Sequence, residues 1–107
     1  MGDINVADFV RICAQSELPP VGQVREFSAA GRTLCAANVA GAICVLDGTC
    51  PHEGGPLGEG SIEDGRVVCP WHSYAFDVHT GENPDAPELK AEVFESKVEA
   101  GELRAKL

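Results

Sequence analysis

Glycine-centred turns cut this chain into short pieces, and that punctuation limits its fold more than any other feature. The pieces "FVRI", "QVREF", "RTLCAANV", "AICVLDG", "RVV" and "YAFDVH" are separated by "PPVGQ", "SAAGR", "AGA" and "EDGR", and "HTGE" ends the last of them. Asp64-Gly65 is a strong hairpin signal, because a two-residue primed turn needs positive φ at both positions. Tyr74, Phe76 and Val78 alternate and share one predicted strand face. "AEVFESKVEAGELRAKL" reads as two strands around Ala100-Gly101. Turn signals recurring roughly every 8–12 residues predict an all-β sandwich or barrel. The exception is a short helix predicted around residues 14–17. "ENPDAPEL" carries two prolines and no periodicity, so it reads as a rigidified loop between strands.

The 107 residues suit one domain, residues 1–107. A domain of this size buries roughly 60–70% of its unfolded surface, enough for a core. No apolar run approaches the ~20 residues that span a bilayer. The N-terminus has no basic-then-apolar signal pattern. A soluble, cytoplasmic protein is the expectation. The formal net charge is −9, which argues against nucleic acid or an anionic membrane as partner. From Thr33 to Gly65 there is no Lys or Arg, while Asp47, Glu53, Glu59, Glu63 and Asp64 all fall in that stretch. These acids read as solvated loops, and equally as an acidic docking face.

Five cysteines in a cytosolic chain suggest metal or redox chemistry before disulfides. Cys13, Cys35 and Cys44 sit in apolar runs and read as small buried hydrophobes. His79, in a turn, reads as a surface residue. Cys50 and Cys69 differ. Each is followed by Pro and then, within three residues, by His52 or His72: "CPHEGG" and "VVCPWHSYAF". The pattern is C-x-H-x16-C-x2-H, and the intervening stretch is rich in glycine, which lets loops approach another body closely. Two loops, each offering one thiolate and one imidazole, make a four-ligand site. A structural zinc accepts two Cys and two His, but zinc fingers usually group Cys with Cys and His with His. The interleaving here suits a binuclear centre with unlike ends, one iron on thiolates and the other on imidazoles.

This motif resembles that of the Rieske iron–sulfur proteins, and the likeness is strongest from Leu46 to Gly81. The resemblance implies one [2Fe–2S] cluster, with Cys50 and Cys69 on one iron and His52 and His72 on the other. The histidines would lie at a solvent-facing tip. It also implies an antiparallel β-sandwich base with a small cluster-binding subdomain of two ligand loops, about residues 46–81. "NPDAP" resembles the family's proline loop over the cluster. Members of high potential carry an extra Cys in each ligand loop, bridged by a disulfide; here those positions are Gly55 and Trp71. The same members place Ser and Tyr where this chain has Tyr74 and Phe76, with Ser73 one position early. Those hydroxyls donate to cluster sulfurs and stabilise the reduced state. Losing two such bonds lowers the potential by on the order of 100–250 mV. Carboxylates such as Asp47 and Glu53 push the same way. The expectation is a potential near the low end of the Rieske range, about −150 mV.

The chain carries no flavin fingerprint and no mononuclear-iron domain, so it is not expected to be an enzyme. It resembles the Rieske-type ferredoxins. These carry electrons from an NAD(P)H-dependent flavoprotein reductase to the terminal oxygenase of aromatic-ring dioxygenase systems. Transient encounters of a monomer are implied, with transfer through the exposed histidine edges. Trp71, beside His72, is read as a docking contact or as packing on the ligand loop. Two alternatives remain open: a small Rieske subunit held within an enzyme such as an assimilatory nitrite reductase, and a structural zinc module.

Overall fold

The computed structural model describes residues 9–107. The absence of a signal pattern was read partly on residues 1–8, which lie outside the described residues. The strands are β1 (Phe9–Ala14), β2 (Val24–Ala29), β3 (Arg32–Val39), β4 (Ala42–Asp47), β5 (Ser61–Glu63), β6 (Arg66–Val68), β7 (Ala75–Asp77), β8 (Val93–Phe94), β9 (Ser96–Glu99) and β10 (Glu102–Lys106). They form three antiparallel sheets, ordered β1-β10-β9, β2-β3-β4-β8 and β5-β6-β7. The fold is all-β, as expected.

Four two-residue turns set the registers. Ala30-Gly31, Ala40-Gly41, Asp64-Gly65 and Ala100-Gly101 each have positive φ at both residues. The flanking residues pair directly, as in Ala29 with Arg32 and Val39 with Ala42. Primed turns match the twist of the strands they join. Asp64 is a usual occupant of such a turn, whereas the three alanines are not.

The sheet β2-β3-β4-β8 is buried on both faces, and β3 shows why. Leu34 and Ala36 pack with Ile12, Cys13, Phe94 and Leu103 against the β1-β10-β9 sheet. Cys35 and Ala37, pointing the other way, pack with Leu57, Val67, Phe76, Cys50 and Cys69. A strand covered on both sides reads as a continuous apolar run, which is what "LCAA" is. Cys13 and Cys35 are therefore core residues, and burial pushes the Cys35 thiol up to about 12. In β1, Arg11 pairs with Arg104 and Cys13 with Leu103, so Ile12 is an extra residue. This bulge turns Ile12 and its neighbour Cys13 into the same core.

One expectation needs correction and another is refined. "AEVFESKVEAGELRAKL" forms three strands, not two. The chain breaks at Glu95, because Val93–Phe94 pairs with β4 while Ser96–Glu99 pairs with β10 in the other sheet. The short helix is a single 3-10 turn, Gln15–Glu17, whose Glu17 carboxylate accepts the Ala14 N–H at 2.9 Å. The proline-containing stretch is a loop, built on turns from Asn83 to Ala86 and from Ala86 to Leu89. Gly81 enters it at φ 79°, where a Cβ would lie 1.9 Å from the Ala91 carbonyl oxygen. Among the described residues no helix is long and apolar enough to cross a membrane.

Candidate metal centre

Two loops meet beside the small β5-β6-β7 sheet. The first leaves β4 through an Asp47 turn, in which Oδ1 accepts the Thr49 N–H at 2.9 Å. It closes on itself: the Cys50 N–H donates to the Gly55 carbonyl at 2.8 Å, and the Gly54 N–H to the Cys50 carbonyl at 2.9 Å. The second joins β6 to β7 and is closed by the Cys69 N–H donating to the Tyr74 carbonyl at 2.7 Å. His72 and Ser73 both have left-handed backbones, φ 67° and 60°. Non-glycine residues in that region cluster where function demands a shape.

The structure places the four sequence-predicted side chains on these loops as two neighbouring pairs, Cys50 with Cys69 and His52 with His72. Cys50 and Cys69 are buried, 2% and 1% exposed. The two thiols are neighbours, and the Trp71 N–H donates to the Cys69 sulfur at 3.4 Å. Burial pushes the Cys69 thiol up, the Trp71 N–H opposes this, and the Cys50 neighbour adds to it. The rings of His52 and His72 lie edge to face, with centroids 5.6 Å apart. His52 Nδ1 is buried without a hydrogen-bond partner, alone among the side-chain nitrogens and oxygens of the described residues. An unsatisfied buried polar atom costs about 1–3 kcal/mol, so the site is arranged for something absent from the polypeptide. Among the described residues no three His, Cys, Asp or Glu side chains gather around one ion-sized point. A pair of thiols and a pair of imidazoles suit the chemistry of a two-metal group with unlike ends. A cationic centre would also reverse the protonation that burial imposes on the thiols.

From the sequence, Glu53 reads as a charge, and Tyr74 as a strand residue standing where a donor is lost. The structure gives both a contact. Glu53 Oε1 lies 3.0 Å from His72 Nε2, and the Tyr74 ring stacks on His52 at 4.0 Å. Two signals were available: Glu53 directly follows His52, and Tyr74 stands two residues after His72. Neither Ser73 nor Tyr74 donates a hydroxyl to a cysteine sulfur, and Phe76 is core. At Gly55 a Cβ would meet the Cys69 sulfur at 2.7 Å and Trp71 Cγ at 3.0 Å. Trp71 thus packs over the first loop, in line with the packing reading, and remains 49% exposed. His79 is exposed and lines a separate surface hollow with Thr80, Glu82 and Lys90. Arg66 is the one cation between Asp47 and Leu89, a span that carries nine carboxylates.

The family model of the Rieske [2Fe-2S] domain matches residues 8–100. The chain belongs to the Rieske family. It is 31% identical over 97 residues to ferredoxin CarAc of Metapseudomonas resinovorans, covering 89% of this chain and 90% of that one. It is 37% identical over 79 residues to human (Homo sapiens) apoptosis-inducing factor 3, but spans only 13% of that protein's length. Among solved structures, the complex of reduced oxygenase and oxidized ferredoxin in carbazole 1,9a-dioxygenase contains a matching chain. The TM-score is 0.78 at 30% identity, with 92% of each chain covered. The Sphingomonas yanoikuyae B1 ferredoxin shares the Rieske fold, at TM-score 0.80 and 23% identity, over 91% of this chain and 96% of that one.

Proposed function

We propose that this chain is a one-electron carrier, a Rieske ferredoxin that delivers electrons to a terminal ring-hydroxylating oxygenase. The observation that carries the site assignment is the orphaned His52 Nδ1, buried without a hydrogen-bond partner in a ring that meets a second imidazole edge-on. Cys50 and Cys69 would hold one iron of a single [2Fe–2S] cluster, and His52 and His72 the other. The bound cluster supplies reversible one-electron chemistry. The polypeptide buries the sulfurs, holds the rings and presents His72, whose side chain is 61% exposed. The full-length likeness to ferredoxin CarAc supports a carrier rather than an oxygenase.

The electron source is a flavoprotein reductase that draws on NAD(P)H, and encounters with it and with the oxygenase are transient. The carboxylates between Asp47 and Leu89 attract cationic partner surfaces and orient the encounter, while Trp71 supplies an apolar contact beside His72. The chain acts as one domain, a monomer in the cytoplasm, with the cluster held in residues 46–81. The lone backbone donor to Cys69 supports a midpoint near the low end of the Rieske range, about −150 mV.

The assignment is tested with single substitutions in the purified protein. His52→Ala and His72→Ala are expected to abolish the iron–sulfur absorbance and the EPR signal, and His79→Ala to leave both intact. Loss of the signal in His79→Ala, or its survival in His72→Ala, overturns the ligand set.

A further inference from the structure

We propose that Glu53 is a positioning residue for His72, holding its ring across the two ligand loops and keeping the electron-accepting level of the centre low. This rests on His72 being a ligand. Glu53 belongs to the first loop and His72 to the second, and their side chains meet at 3.0 Å between Oε1 and Nε2. A carboxylate accepts, so Nε2 carries the hydrogen and Nδ1 is the nitrogen left free for metal. A carboxylate on the far nitrogen of a ligating histidine fixes its tautomer and orientation and raises its basicity.

The two histidines are held by different devices. The His52 ring lies flat on Tyr74, at 20° between planes. His72 has no stacking partner of that kind; its ring meets His52 only edge-on, at 89°. It sits on a left-handed backbone with Ser73 left-handed after it, so the Glu53 contact is what orients its ring. Both side chains of the pair are more than half exposed, 61% and 54%. An exposed contact of this kind adds little to folding stability. Its effect falls instead on the charge that the imidazole donates. A negative oxygen on Nε2 disfavours the added electron and therefore depresses the midpoint. The contact also covers the edge of the more exposed ring, where a partner must approach. A cationic partner group that draws Glu53 away would change the centre at the moment of docking.

The test is a potentiometric titration of holoprotein, with EPR detection, for wild type, Glu53→Gln, Glu53→Asp and Asp85→Asn. Asp85 lines the same hollow as His72, between the second ligand loop and the proline loop, without bonding its ring. Glu53→Gln is expected to shift the ratio of cluster affinities for the two redox states about tenfold, a rise of about 59 mV. Glu53→Asp, with its charge kept and its reach shortened, is expected to lie between it and wild type. Asp85→Asn is expected to give less than half of the Glu53→Gln shift. An unmoved midpoint in Glu53→Gln overturns the proposal. An equal rise in Asp85→Asn also overturns it, since the carboxylate then acts only as an unspecific charge. A wild-type protein without a Rieske signal removes the ligand reading as well, and so separates the two failures.

Discussion

Gly55→Ala puts the smallest possible side chain at the closest point between the ligand loops. The Gly55 backbone is not in the left-handed region, so alanine suffers no conformational strain there. The cost is steric. The new Cβ would lie 2.7 Å from the Cys69 sulfur and 3.0 and 3.1 Å from two atoms of the Trp71 indole, Cγ and Cδ2. Ordinary carbon contacts are about 3.5–4.0 Å. The indole is half exposed and can swing away, whereas Cys69 is buried and tied to Tyr74 and Trp71. Overpacking of this kind costs about 1–3 kcal/mol. In a domain of about this size it lowers the melting temperature by roughly 5–20 °C. Differential scanning calorimetry of the holoprotein measures that fall, with cluster absorbance followed in parallel. Trp71→Ala alone is expected to cost less, and adding it to Gly55→Ala should recover part of the loss, because two of the three close contacts are to the indole. A Gly55→Ala protein that melts within about 2 °C of wild type and keeps its cluster would refute the reasoning.

Three further outcomes are expected. Replacing Ala30, Ala40 and Ala100 by Asn relieves left-handed alanine backbones, each costing roughly 1–2 kcal/mol; thermal unfolding should rise with each change. Iodoacetamide near neutral pH should leave Cys35 and Cys13 unmodified in the folded chain, since burial raises both thiols; peptide mass spectrometry reads this directly. The His79 N–H, helped by that of Thr80, holds the Asp77 carboxyl below its usual value. A depressed carboxyl contributes stability above its unfolded value, and that stability is lost as pH falls through the folded one. Urea midpoints should therefore drop below roughly pH 4 in wild type, and less steeply in Asp77→Asn.

Most of the strand pattern was legible because its signals are local. Glycine turns, the alternation of Tyr74, Phe76 and Val78, and the Asp64-Gly65 hairpin depend on neighbours in sequence. The break at Glu95 was not legible. Residues 93–99 look like one strand, and only the competing pairings with β4 and β10 divide them. The Cys and His pair on each of two loops stood out from spacing, because each loop carries its own Cys and His. Their surroundings did not. The Glu53 contact with His72 spans nineteen residues and exists only once the two loops meet. The stack of Tyr74 on His52 likewise needs the loops together.

The central claim is that these two loops hold a low-potential one-electron centre. A redox titration of the purified protein, monitored by EPR of the reduced state, addresses it most directly. The account predicts a Rieske-type signal that appears on one-electron reduction, with a midpoint around −150 mV. A midpoint above about +100 mV, or a colourless protein that stays EPR-silent after anaerobic reconstitution with iron and sulfide, would contradict it.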